Sequence, residues 1–177
     1  MALRSEPTVR KAQRPRDPLD ASLGRHLLAA IIGIIVLAGG MALAQASDPL
    51  VGTWKLNAAK SKGTAFKSGT TRVEKDGDGV KMTVDLVRND GTVNKWSFSA
   101  KYDGKDYPVT GNSPYGDAVA VERVDAHTFH FTSKMGGKVT ATQTIVISAD
   151  GKTRTNTTKG TDPKGQPLDS VAFYEKQ

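Results

Sequence analysis

Gly52-Thr53-Trp54-Lys55-Leu56 is the stretch whose reading decides the fold. It begins three residues after Pro49, and every later segment reads as a short strand followed by a turn. A glycine and a tryptophan separated by one residue, on the first strand of an all-β chain, suit a small closed barrel. In such a barrel the Trp plugs one end and the other end is free to hold a ligand. Trp54 and Leu56 fall on one face of that strand, so Trp54 is expected to be buried and structural, with Gly52 beside it at the base.

Working outward, regular turn signals divide the rest of the chain into about ten strands. These are residues 50–56, 70–75, 80–87, 92–100, 105–109, 117–124, 127–134, 138–148, 152–159 and 168–176. The turns between them carry Asp76-Gly77-Asp78-Gly79, Asn89-Asp90-Gly91, Asp103-Gly104, Gly136-Gly137 and Asp150-Gly151. Gly, Asn and Asp supply the positive φ that tight hairpins require. Residues 57–69 read as a long connection with room for one short helix at most.

The apolar period is two. Val80, Met82, Val84 and Leu86 share one face, and Lys81, Thr83 and Asp85 the other. Trp96, Phe98 and Ala100 alternate with Lys95, Ser97 and Ser99. Phe129 and Phe131 alternate with Thr128, His130 and Thr132, and Val139, Ala141, Ile145 and Ile147 with Thr140, Thr142 and Thr144. One apolar and one Thr-rich face describe an antiparallel sheet buried on one side. Successive tight turns imply an up-and-down meander in which sequential strands pair. About ten twisted strands in series tend to curl and close, which removes exposed edges. A two-sheet sandwich is the alternative architecture.

The first quarter of the chain differs in character. Arg4, Arg10, Lys11, Arg14, Arg16 and Arg25 precede an uncharged apolar stretch from Leu27 to Ser47, which closes with Ala44-Gln45-Ala46. Basic, apolar, then small residues is the order of a secretory signal. Residues 1–46 are therefore expected to form a signal helix that is removed, leaving one barrel domain at 47–177 in a periplasmic or secreted location. The alternative is an uncleaved anchor, but the apolar part, Leu27 to Leu37, is shorter than the ~20 residues of a spanning helix. On this reading the membrane is met only through that segment.

The 177 residues carry 25 Lys and Arg against 18 Asp and Glu, and no Cys. Zero Cys excludes disulfides, thiolate metal sites, thiol catalysis and a lipid-anchored amino terminus. Six of the basic and three of the acidic residues precede Ser47, which leaves 19 and 15 afterwards and a net charge of +4. These charges are interspersed along the strands, as on a solvated surface rather than a nucleic-acid footprint.

Catalytic patterns are missing. His127 and His130 are three apart on a strand and so point to opposite faces, whereas a metal pair needs a spacing of two. Asp76-Gly77-Asp78-Gly79 is followed by Val80 where a calcium loop needs another oxygen ligand. Gly111-Asn112-Ser113-Pro114-Tyr115 has Tyr where a nucleophile elbow has its second Gly. It reads instead as a loop, with a flap at the barrel rim carrying Tyr107 and Tyr115 as one possibility for it. No phosphate loop or dinucleotide fingerprint occurs.

With the early Gly-x-Trp and the meandering strands, the chain resembles the calycins, the group of lipocalins and fatty-acid-binding proteins, over nearly all of residues 48–177. It looks closest to bacterial secreted proteins described as lipocalin-like. The resemblance implies an all-β, calycin-like barrel that binds a small hydrophobic or amphipathic molecule. It also implies a Lys or Arg covering the motif Trp, for which Lys176 is the candidate. The departures are specific. Residues 57–69 are too few for the two-helix lid of fatty-acid-binding proteins. Phe173-Tyr174-Glu175 stands where those proteins carry Arg-x-Tyr, and no Arg follows Arg154.

Polar residues in phase with apolar faces mark the cavity. Gln143 is in phase with Val139, Ala141 and Ile145, and Arg123 with Val119 and Val121. Arg123, Gln143 and Tyr174 are the expected polar contacts to a ligand, with Trp96 and Phe98 as apolar lining. An inward Arg123 would want an anionic partner; at the strand end it would reach solvent instead. The expected partner is a small apolar or amphipathic molecule bound by a monomer without cofactor, metal, catalysis or nucleic acid. An interior filled by Trp54, Trp96, Phe98, Phe129, Phe131 and Phe173 would instead make the barrel a packed structural or interaction module.

Overall fold

A computed structural model describes residues 47–177; the expected signal segment and its cleavage point lie outside them. Eleven strands follow: β1 (Gly52–Lys62), β2 (Phe66–Asp76), β3 (Gly79–Arg88), β4 (Val93–Lys101), β5 (Asp103–Pro108), β6 (Thr110–Gly111), β7 (Ala118–Arg123), β8 (Thr128–Met135), β9 (Lys138–Ile147), β10 (Thr153–Thr161) and β11 (Pro167–Lys176). They form one antiparallel sheet in the order β5-β7-β8-β9-β10-β11-β1-β2-β3-β4-β6. The sheet curls into a nearly closed barrel. Its single core gathers Leu50, Trp54, Val84, Trp96, Phe98, Phe129, Phe131, Ile145 and Tyr174 among others.

The alternation written in β3 and β4 holds in space. Val80, Met82, Val84, Leu86, Trp96, Phe98 and Ala100 are all buried. It fails at one position of β9, where Val139 is 60% exposed while Ala141 is buried. Ser133 pairs with Ala141 but Lys134 pairs with Val139, so Thr140 is an extra residue, a β-bulge. A bulge shifts the phase by one and re-aims a side chain. Here it turns Val139 outward and points the Thr140 hydroxyl at the backbone carbonyl of Tyr115.

Two further expectations are corrected. Residues 57–69 are not a long connection: β1 and β2 extend through it, leaving only Gly63, Thr64 and Ala65 between them. One local contact and two distant in sequence hold the extension. Ser61 Oγ donates to Asn57 O at 2.7 Å and accepts from Phe173 N at 3.0 Å, and Lys60 Nζ meets Glu175 Oε1 at 2.9 Å. The meander is also broken once. β5 pairs with β7, not with β4, while β6 pairs with β4. Residues 103–111 therefore cross the barrel's seam, changing partner at Val109 just after Pro108, which has no N–H to donate.

The closed end is built around Trp54, which is fully buried and donates its indole N–H to Leu50 O at 2.9 Å. Lys176 Nζ lies 5.0 Å from its ring centroid, and the Arg154 guanidinium 5.3 Å. Gly52 makes room for that lysine: a Cβ there would come within 2.4 Å of Lys176 Cε, at a φ of 142° that side chains rarely adopt. Truncating a buried Trp to Ala costs roughly 3–5 kcal/mol.

Candidate functional site

The barrel interior holds a cavity of about 50 Å³. One wall is apolar and comes from the legible strands: Met82, Val84 and Leu86 of β3, Trp96 and Phe98 of β4, and Phe131 of β8. The other wall is polar and centres on β10. Arg154, Asn156 and Thr158 alternate inward along that strand and are all buried. Gln143 on the neighbouring β9 donates to Thr158 Oγ1 at 3.3 Å.

Arg154 is the unusual member. It is 1% exposed, and its Nε and Nη1 have no hydrogen-bond partner among the described residues. The Asn156 Oδ1, two residues on, is also buried without a partner. The guanidinium lies 4.3 Å from the Tyr174 ring centroid, on the facing position of β11. Burial pushes the Arg154 pKa down to about 10, partly offset by Tyr174, which leaves it a cation at neutral pH. Burial likewise raises the Tyr174 phenol, with Arg154 opposing, so the phenol stays neutral. A buried cation without an acid partner costs several kcal/mol. The stacked ring recovers part of that cost. A small anion in the cavity would recover more through charge-assisted hydrogen bonds.

Of the expected cavity residues, Gln143, Tyr174, Trp96 and Phe98 come together on this cavity. Arg123 does not, and its expected role is corrected. It sits at the end of β7 at the closed base, 34% exposed, with Nη2 2.5 Å from Asp48 Oδ2. The Tyr102 hydroxyl donates to the same oxygen at 2.6 Å, and the Arg123 guanidinium lies over the Tyr102 and Phe129 rings at 4.8 and 4.9 Å. Its phase was right but its height along the barrel was not. Lys176 is not alone over Trp54 either, since Arg154 reaches it from the cavity side. Phe173 is half-buried beneath Lys60 Nζ, outside the core cluster.

Sequence reasoning missed Arg154, Asn156 and Thr158. The alternate positions of β10 are Thr153, Thr155 and Thr157, so neither face is apolar and the strand shows no phase. The signal available was relational: Arg154 pairs with Ile147 and with Tyr174.

The stretch expected as a loop, 111–116, borders the cavity, although its first residue, Gly111, falls in β6. Val109, Ser113 and Tyr115 line the cavity from above, and the Tyr115 ring meets Trp96 edge-on at 6.1 Å. Burial raises the Tyr115 phenol pKa well above its ordinary value. Among the described residues, no carboxylate or imidazole lines the cavity. Among the described residues, no group of three or more His, Asp and Glu is placed to hold a metal ion.

No family model matches the chain, and no curated protein does. Among solved structures, a crystal structure of zebrafish ileal bile acid-binding protein complexed with cholic acid is similar, at 14% identity and a TM-score of 0.44, over 73% of this chain and 99% of that one. The fold is established by the strand order and pairing themselves. It is calycin-like: a nearly closed antiparallel barrel of eleven strands with its Gly-x-Trp strand at the base.

Proposed function

We propose that this chain is an exported, lipocalin-like barrel that binds a small amphipathic molecule in its cavity without chemical turnover. The apolar body lies against Trp96, Phe98 and Phe131, and an anionic head lies toward Arg154. The observation that carries this reading is the buried guanidinium of Arg154, with two nitrogens unpartnered at the cavity wall. Gln143, Asn156 and Tyr174 complete the polar side. Turnover would require convergent acid–base groups, and among the described residues the lining offers tyrosines and one arginine but no carboxylate or imidazole to work with them.

Native mass spectrometry of protein recovered from its export compartment tests the reading, followed by displacement of the anionic dye 1-anilinonaphthalene-8-sulfonate. A co-purified small anion and dye uptake lost in Arg154→Met support it; no co-purified mass and no dye uptake overturn it. Intact mass tests export: a mature chain beginning at Ser47 is expected, and retention of residues 27–46 in a membrane fraction overturns it.

A packed structural or interaction barrel is the second reading, and one observation favours it. A cavity of about 50 Å³ holds only a few water molecules at ~10–15 Å³ each, whereas ligand pockets span ~300–1,000 Å³.

A further inference from the structure

Three spaces meet at one short segment. The inner cavity touches Ser113 and Tyr115. An outer cleft of about 480 Å³ touches Ser113 and Pro114, together with Arg88, Asn94 and Lys164. A second outer cleft, of about 210 Å³, touches Pro114 and Tyr115, with Ala65, Phe66, Pro167 and Leu168. Ser113-Pro114-Tyr115 is thus the partition between a small inner cavity and two roomier outer clefts.

The partition is held at its ends rather than along its length. Asn112 is pinned to β4 through both backbone and side chain: its N–H donates to Lys95 O and its Nδ2 to Val93 O, both at 2.9 Å, while its O accepts from Asn94 Nδ2 at 2.8 Å. At the other end Asp117 N donates to Lys134 O at 2.8 Å. Gly116 lies so close to β8 that a Cβ would come within 2.0 Å of Lys134 O. Between these anchors, the hydrogen bond that ties the partition to the barrel wall among the described residues is the one Thr140 Oγ1 donates to Tyr115 O. The bulge in β9 aims that hydroxyl. The Tyr115 ring contributes an edge contact to Trp96, which an apolar ligand can replace.

We propose that Ser113-Pro114-Tyr115 is a lid hinged at Asn112 and Gly116, and that Tyr115 occupies the place of an elongated amphipath's apolar body. With the lid raised, the anionic head reaches Arg154. The chain then runs out over Phe66, Pro167 and Leu168, where β1 and β2 share no ladder beyond Lys55. This inference rests on the cavity-binding reading above, and it turns the small closed volume into a property of the empty state. A lid that must open taxes association by its open fraction, and minor states are commonly 0.1–10% populated.

Stopped-flow association of 1-anilinonaphthalene-8-sulfonate with the whole mature chain tests it, using Tyr115→Ala, Tyr115→Phe and Thr140→Val, the first and third also combined with Arg154→Met. Thr140→Val removes the latch and leaves the ring in place, so the test survives if Tyr115→Ala folds poorly. Association on the order of tenfold faster in Tyr115→Ala and Thr140→Val, unchanged in Tyr115→Phe and abolished by Arg154→Met, supports the lid. Equal rates in all lid variants, with binding still lost in Arg154→Met, overturn the lid and leave the binding reading standing. Dye uptake by Tyr115→Ala that survives Arg154→Met overturns the lid as well, since the dye then fills a void the substitution made. Absence of uptake in every variant overturns both.

Discussion

Arg123 and Arg154 are two arginines at opposite fates in one barrel. Arg123 lies at the closed base, partly exposed, with Asp48 as its counter-ion and Tyr102 and Phe129 beneath it. Arg154 lies in the cavity, almost wholly buried, with aromatic rings for company and no acid among the described residues. Pairing at the base fastens the segment before β1 to the barrel, since the other Asp48 oxygen accepts from Leu50 N at 3.0 Å. The unpaired charge in the cavity contributes nothing comparable to the empty fold. A satisfied charge marks where a structure is held, and an unsatisfied one where it expects something else.

The contrast is open to direct attack. The base itself should show the largest effect: Trp54→Ala is expected to cost roughly 3–5 kcal/mol and to lower the melting temperature by roughly 10–20 °C. A melt within a degree or two of the wild type would show that the base does not hold the barrel. Arg154→Met should move stability the other way, by about 1–4 kcal/mol, as an apolar side chain of similar length replaces an unpaired buried charge. It should also abolish uptake of the anionic dye at concentrations that saturate the wild type, through the loss of charged hydrogen bonds. Denaturant titration and dye binding on the same samples check both halves, and a destabilised variant with intact binding would erase the contrast. Asp48→Ala should cost about 1–2 kcal/mol through loss of a half-exposed charged pair while leaving dye affinity unchanged; altered affinity would mean that base and cavity are coupled. The smallest effect belongs to Asn156→Leu, within ~1 kcal/mol of neutral because its Oδ1 has no partner to lose. A few-fold weaker dye binding would place that oxygen in the site.

The two regions were unequally legible in the amino-acid order. β3, β4 and β8 alternate apolar and polar residues, so their inward faces, including Trp96 and Phe98, could be read directly. The base was legible because Gly52 and Trp54 sit on a strand whose phase Leu56 confirms. The polar wall was not: β10 is polar at every position from Thr153 to Lys159, and only its register against Ile147 and Tyr174 turns Arg154 inward. Val139 misled because one extra residue in β9 inverts the phase without any Gly or Pro to announce it. Arg123 misled for a different reason. Period two tells which side of a sheet a residue faces, but not how far along the barrel it stands. The extension of β1 through Ala58 and Lys62 depends on Glu175 and Phe173, far away in the chain, and no local propensity reports such support.

The central place of β1 in the sheet also bears on the order of folding. β1 shares only four residue pairs with β2, from Gly52 to Lys55, and its other flank belongs to β11. The pair Trp54 and Lys176 joins residues more than about a hundred positions apart, and Gln177 N donates to Thr53 O at 2.9 Å. Contacts of such sequence separation form slowly, because the loop they close must be ordered before they reward it. The strand bearing the barrel's central Trp therefore stays half-paired until β11 arrives.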